Sequence, residues 1–230
     1  MKERPILMSG PMVKAILEGR KWQTRRIVKP QPTETPITNG SASGMYLAWP
    51  NSDAHLEWQD VLADTDYYVQ AGFCPYGQPG DRLWVREAWR TIDSTADHNM
   101  LTIAYEADQG RGSEYRYLRV SDDAYERYSG ARFDSHLRPS IFMPRWACRF
   151  VLELTAVRVE RLQDISEADA QAEGCTTAAE DDQDGAPDAK QYRTYRAGYR
   201  DLWDSLNAKR GYGWDSNPWV WVLTFEQVKP

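Results

Sequence analysis

Three side chains of this sequence carry complementary chemistry: the amine of Lys21, the alcohol of Thr24 and the carboxylate of Glu173. A threonine hydroxyl is a poor nucleophile unaided, and an adjacent base is the usual way to activate it. Lys21 lies among Arg20, Arg25 and Arg26, like charges that disfavour its ammonium form and so favour an amine able to accept a proton. In an extended strand Lys21 and Thr24 would point to opposite faces, so their convergence requires a turn, which Gly19 makes accessible. Glu173 falls at the C-terminal end of a predicted helix, where the macrodipole disfavours a carboxylate, and a residue in an unfavourable place invites a functional reading. Taken singly, the three read more readily as an exposed lysine, a turn threonine and a solvated glutamate.

Charge sets Lys21 apart from the rest of the chain. The formal net charge is −6 over 230 residues, yet residues 1 to 32 hold eight Lys or Arg against two Glu, a balance of +6. The other 198 residues therefore sum to −12. This asymmetry fits one positively biased site on an acidic body better than a general polyanion-binding surface. A solvated Lys/Arg-rich turn is the plainer alternative.

The elements that must position these residues are legible in part. "SGPMVKAILEG" predicts a short helix, with Ser9 as N-cap, Pro11 in the first turn, Met12, Ala15 and Ile16 as an apolar stripe and Gly19 as its stop. Residues 33 to 72 show no sustained period and read as an insertion. A Pro79-Gly80-Asp81 turn then leads into a strand carrying Leu83 and Val85. Residues 90 to 140 are polar and Tyr-rich, and read as a second insertion.

In "CRFVLELTAVRVERL", Phe150, Leu152 and Leu154 alternate with other residues, while Val157 and Val159 imply a shift of register through a bulge or bend. "ISEADAQAEG" is the clearest local signal: Ser166 and Asp169 form a capping box, Ile165 and Ala170 take staple positions, and Gly174 ends the helix. An acidic loop at 176–190, poor in apolar residues, is expected to be mobile. Tyr199, Leu202, Trp203 and Leu206 follow the spacing of a helix with one buried face, and "PWVWVLTFEQV" reads as a closing strand. Strands separated by helices give a mixed, sheet-centred α+β domain spanning 1–230, with insertions at 33–72 and 90–140; periodicity does not say how the sheet closes.

Cys74, Cys148 and Cys175 lie far apart, with no ligand-spaced partner, so neither a disulfide framework nor a metal site is expected. "MKERPILMSG" has no apolar signal core and no stretch approaches the ~18 apolar residues of a membrane span, so a cytoplasmic protein is expected.

"ILEGRKWQTRRI" resembles the signature of the ASCH domain family, relatives of the PUA RNA-binding fold. The likeness extends through "PGDRLWV", "ISEADAQAEG" and the closing "WVWVLTF", about half the chain, and long members encoded by phages and prophages are most similar. The resemblance implies a PUA-like β-barrel flanked by short helices. Compact bacterial members are amidohydrolases that remove the acetyl group of N4-acetylcytidine with a Lys, a Thr and a Glu, and need no cofactor or metal. The lysine of their G-R-K-T-x-T motif corresponds to Lys21, the second threonine to Thr24, and their glutamate aligns with Glu173. Trp22 stands where they carry a small Thr, and the two insertions have no counterpart in them.

The expected activity is therefore hydrolysis of an acyl group from an N4-modified cytosine, on a nucleoside or within RNA, in the cytoplasm of the host if the chain is phage-encoded. Arg26 is expected to steady an oxyanion or a phosphate, Trp22 or Trp84 to stack on the base, and Arg20, Arg25 and Arg86 to line the substrate site. Two alternatives stand beside it. One is a non-catalytic module that reads RNA or modified nucleic acid through the same cations and rings. The other is a metal-independent ribonuclease, disfavoured because His55, His98 and His136 all lie outside the matching segments. The oligomeric state is left open.

Overall fold

The computed structural model describes residues 1–36, 45–48, 55–57, 74–108, 115–129, 137–177 and 194–228. In chain order the main elements begin with β1 (Glu3–Leu7), α1 (Gly10–Leu17), β2 (Gln23–Ile27), β3 (Thr33–Pro36), β4 (Met45–Ala48), β5 (His55–Glu57) and β6 (Arg82–Arg86). They continue with β7 (Trp89–Thr95), β8 (Met100–Tyr105), β9 (Arg116–Arg119), α2 (Asp122–Ser129) and β10 (Val151–Arg161). The last are α3 (Glu167–Ala172), α4 (Tyr195–Asn207) and β11 (Trp219–Val228). The architecture is mixed α+β, as the alternation of strand and helix patterns implied. No helix among the described residues is long and apolar enough to cross a membrane.

The chain divides into two compact units. The first comprises residues 1–19, 82–153 and 227–230. Here β1 pairs in parallel with β6, and β6 pairs antiparallel with the first residues of β10. Gly80, which belongs to the second unit, takes a φ of +86° in the turn before β6, which a glycine adopts without strain. Leu83 and Val85 then point inward as their alternation required. The same unit contains the antiparallel sheet β7-β8-β9, with a bulge between Thr91 and Asp93. Part of the stretch at 90–140 read as an insertion thus contributes to the core of this unit. The alternating Leu101, Ile103 and Tyr105 pack with Trp89, Met143, Ala147, Cys148 and Val151.

The second unit comprises residues 20–81 and 154–226 and contains Lys21, Thr24 and Glu173. Its strand order is β10-β11-β2, with β2 at one edge. β3, β4 and β5 form a small antiparallel sheet within the stretch read as an insertion without sustained period. The rest of the insertion expected at 33–72 lies outside the described residues, as does the acidic loop apart from Thr176 and Thr177.

Helices α3 and α4 supply much of this unit's core. Ile165, Ala170, Tyr199 and Trp203 pack with Leu162, Trp214, Val220 and Val222, and Ile27 of β2 joins them. The Ser166 hydroxyl accepts the Asp169 amide at 3.0 Å, so the capping box marks the start of α3, and Gly174 follows its end with φ +86°. The expected face of α4 is rotated by a residue at its C-terminal end. Leu206 is 45% exposed, whereas Asn207 is buried and its Nδ2 donates to Trp203 O, a polar contact that apolar spacing does not reveal. In β10, Leu152 and Leu154 are buried and then Val157 and Val159, so the inward face switches parity within one continuous strand. The expected change of register is present without a break in the strand.

Candidate functional site

Lys21 and Glu173 meet directly. Their backbones form an isolated antiparallel bridge, and Lys21 Nζ lies 2.7 Å from Glu173 Oε2, with side chains 0% and 3% exposed. Trp22 locks this contact from both sides, its N–H donating to Ala172 O and its C=O accepting from Phe225 N, each at 3.0 Å. The Lys21 ammonium also donates to Gln23 O and to Glu173 O, both at 2.8 Å. Three donors meet three acceptors, so the buried ammonium is fully satisfied.

The Gln23 carbonyl is available for a reason set by sheet geometry. Gln23 faces Thr224 across β2 and β11, while the flanking bond runs from Phe225 N to Trp22 O. Gln23 is therefore in a non-hydrogen-bonded pair, and its own N–H and C=O point away from β11 toward the sheet edge. Lys21 occupies that edge. The carbonyl it engages belongs to the peptide linking Gln23 to Thr24, so Nζ is held one peptide group from the candidate nucleophile.

Alternation along β2 divides the remaining residues. Gln23 and Arg25 share one face with Thr224 and Val222, and Gln23 Nε2 donates to Thr224 Oγ1 at 3.4 Å. Thr24 and Arg26 share the other face with Leu223 and Trp221. Thr24 is buried, and among the described residues its hydroxyl makes no hydrogen bond to Lys21 or Glu173.

Arg25 lies within the unit, its side chain 0% exposed. Its Nε and Nη2 donate to Glu160 Oε1 at 2.8 and 2.6 Å, and Nη2 lies 3.3 Å from Asp169 Oδ2. Arg158 bonds the same two acids, Glu160 Oε2 at 3.0 Å and Asp169 Oδ2 at 3.2 Å. Two arginines and two carboxylates thus form a closed ring of alternating charge. From this ring Arg25 Nη1 reaches out to Gln23 Oε1 at 2.7 Å and to Glu173 Oε1 at 3.3 Å. Glu173 therefore has one oxygen on Lys21 and the other on Arg25, which offsets its unfavourable place as the C-cap of α3.

The titration behaviour follows from this enclosure. Burial is the largest influence on Lys21 and pushes its amine below the usual lysine range, against the pull of Glu173; Arg26 adds to the lowering. Burial, rather than the flanking arginines expected from sequence, is thus the main cause. Arg25 is also penalised by burial, but Glu173 and Glu160 outweigh this and hold the guanidinium charged. Burial, with the Glu173 charge, pushes the Cys175 thiol up to about 12, so Cys175 stays a thiol near neutral pH. Tyr199, whose ring lies 5.9 Å from the Arg25 guanidinium, is raised well above its normal range by burial and by Glu173.

Asp169 carries a test of the ring. Burial pushes its carboxyl up, but Arg158, Arg25 and the Ser166 hydrogen bond outweigh this and hold it below its ordinary value of 3.8. A depressed carboxyl stabilises the fold above the unfolded-state value, and that contribution is lost as pH falls through the folded-state value. Thermal melts of the wild type should therefore lose stability below about pH 4, and Asp169→Asn should flatten part of that acid limb. An acid limb of unchanged steepness in the variant would remove Asp169 from this role.

The other expected substrate residues divide between the two units. Trp22 is 45% exposed between two buried neighbours. Arg20 Nη1 donates to Gly174 O at 3.1 Å, while Arg26 is half-buried beside Trp221. Trp84 and Arg86 belong to the first unit, where the guanidinium groups of Arg86 and Arg145 lie 5.2 and 6.0 Å from the Trp84 ring. Glu160, Arg158 and Gln23 were not anticipated. A signal for the first two exists in "VRVER", where Arg158 and Glu160 share one face of a strand whose other face is apolar. Comparisons with protein-family models, with characterised proteins and with solved structures returned no match.

Proposed function

We propose that this protein is an ASCH-type amidohydrolase that removes an acyl group from N4-acetylcytidine or a related N4-modified cytosine, as a nucleoside or within RNA. The observation that carries this reading is the buried Lys21–Glu173 pair, 2.7 Å across and one peptide group from Thr24. The PUA-like barrel implied by the sequence resemblance belongs to the same reading, supported by the mixed α+β architecture. So does a cytoplasmic setting, where such a nucleoside or RNA would be met.

Moving one proton from the Lys21 ammonium to the Glu173 carboxylate gives a neutral amine and a carboxylic acid, the base and the acid that amide cleavage requires. A buried site favours this exchange, because low polarity disfavours separated charges relative to a neutral pair. Lys21 then takes the Thr24 proton as Thr24 Oγ1 bonds to the acyl carbon. Arg26, on the same strand face as Thr24, steadies the developing oxyanion. Glu173 delivers its proton to the exocyclic nitrogen as the C–N bond breaks, leaving an acyl ester on Thr24. Water attacks the ester, giving a proton to Glu173, and Lys21 returns a proton to Thr24 as the carboxylic acid leaves. The pair ends as amine and acid, ready for another cycle. Trp22, exposed beside the pair, offers a surface for the pyrimidine.

A polyanion-binding reading fits less well, because Lys21 and Arg25, two of the four cations that suggested it, are enclosed. Purified protein incubated with N4-acetylcytidine is expected to release cytidine and acetate, quantified by chromatography. Thr24→Ala should bind the nucleoside but turn it over at least ~10²-fold more slowly. Absence of deacylation by the wild type at saturating substrate would overturn the reading, and salt-sensitive RNA binding in its place would favour a binding module.

A further inference from the structure

Arg25 has no place in the steps above, yet its side chain is wholly enclosed and it touches Glu173. Its geometry is over-determined. Glu160 and Asp169 hold Nε and Nη2, and Arg158 holds both acids in turn, through the other oxygen of Glu160 and the same oxygen of Asp169. The planar guanidinium therefore has little freedom to turn, and Nη1 is presented in a fixed direction. That nitrogen meets Glu173 Oε1, while Oε2 faces Lys21. A carboxylate held at both oxygens cannot rotate away from the lysine without giving up a buried charged contact.

We propose that Arg25 is a positioning residue: clamped in the ring of Glu160, Asp169 and Arg158, it keeps Glu173 turned toward Lys21, and its charge sets the pH window in which this pair shares a single proton. The proposal rests on the amidohydrolase reading for its link to turnover. Its physical content does not, because the arrangement of the pair is a property of the resting protein.

The sign follows from electrostatics. The active pair holds one proton between amine and carboxyl; a second inactivates it on the acid side, and loss of the first inactivates it on the alkaline side. A fixed positive charge beside the pair opposes every added proton, so Arg25 keeps both limbs of the profile lower than they would otherwise lie. Other groups coupled to the pair are Arg26, Cys175 and Tyr199; Glu160, Asp169 and Arg158 surround Arg25 itself.

The experiment compares wild type, Arg25→Gln and Arg25→Lys by the pH dependence of kcat/KM for N4-acetylcytidine, and by NMR titration of the Lys21 Cε resonance in 13C-lysine-labelled protein. Arg25→Gln should move both limbs, and the Lys21 titration, to higher pH by about one unit or more. Arg25→Lys should restore the midpoints while leaving kcat at least ~10-fold low with KM little changed, because a lysine lacks the fork. A merely structural arginine would lower activity without moving the midpoints, and that outcome overturns the proposal. So does an Arg25→Lys enzyme with wild-type kcat. If the wild type fails to turn over the nucleoside, the amidohydrolase reading falls, and the Lys21 titration still decides whether Arg25 governs the pair. Should Arg25→Gln not fold, Glu160→Gln keeps the arginine and removes the anion that offsets its charge: both limbs and the Lys21 titration should move to lower pH, and unmoved midpoints would again overturn the proposal.

Discussion

Replacing Lys21 by alanine should lower turnover of N4-acetylcytidine at least ~10³-fold, since the mechanism proposed above loses its base and the proton donor to its acid. Stability should fall as well. Without the ammonium, Glu173 Oε2 and the carbonyls of Glu173 and Gln23 lose a donor inside the protein. Breaking a buried ion pair from one side costs about 3–5 kcal/mol. The two effects are separable. Lys21→Met combined with Glu173→Leu replaces both charges by apolar groups of similar size, and such a swap is often close to neutral. The double variant should therefore be more stable in urea denaturation than Lys21→Met alone, while remaining inactive. A double variant no more stable than the single one would mean that the contact carries little energy. Wild-type turnover by Lys21→Ala would rule out the mechanism.

The second large effect lies in the first unit. Trp89 is fully buried, with the rings of Tyr128 and Trp146 at 5.3 and 5.7 Å, both edge-on, and the Arg138 guanidinium 5.2 Å from its own. Its backbone exchanges hydrogen bonds with Arg138 at 3.1 and 2.7 Å, so strand pairing and ring packing depend on the same residue. Trp89→Ala should cost about 3–5 kcal/mol, the range for an aromatic residue excised from a close-packed core. Trp89→Phe, which keeps an aromatic ring in place, should cost less than half as much. Urea denaturation followed by near-ultraviolet circular dichroism measures both. A loss below about 1 kcal/mol for the alanine variant would show that this core relaxes around the gap, and that the aromatic cluster does not hold the unit together.

What could be read without coordinates was local. Ser166, Asp169 and Gly174 mark the limits of α3 within nine residues, and the parity change between Leu154 and Val157 is visible in the eight from Leu152 to Val159. The contact of Lys21 with Glu173 was proposed from chemistry and resemblance, and the structure brings those two together. It places the Thr24 side chain on the face of β2 opposite Gln23 and Arg25. The charged ring was not legible, because Arg25 is 135 residues from Glu160 and nothing local tells an arginine that pairs inward from one that faces solvent. For the same reason the cations at 20–26 suggested one shared surface, although strand alternation sends successive members in different directions. The core around Trp89 was missed for another reason: its apolar residues are spread among tyrosines and charges that the window average reads as polar.

Trp22 shows what backbone pairing leaves free. Its main chain carries the two hydrogen bonds that fasten the segment, while its indole faces outward between two buried neighbours. Any residue but proline can supply those bonds in an extended conformation, so the identity of this side chain is uncoupled from the buried Lys21 and Gln23 on either side. Substitutions here should leave the buried contacts beneath in place and change only the outward surface that the indole now provides.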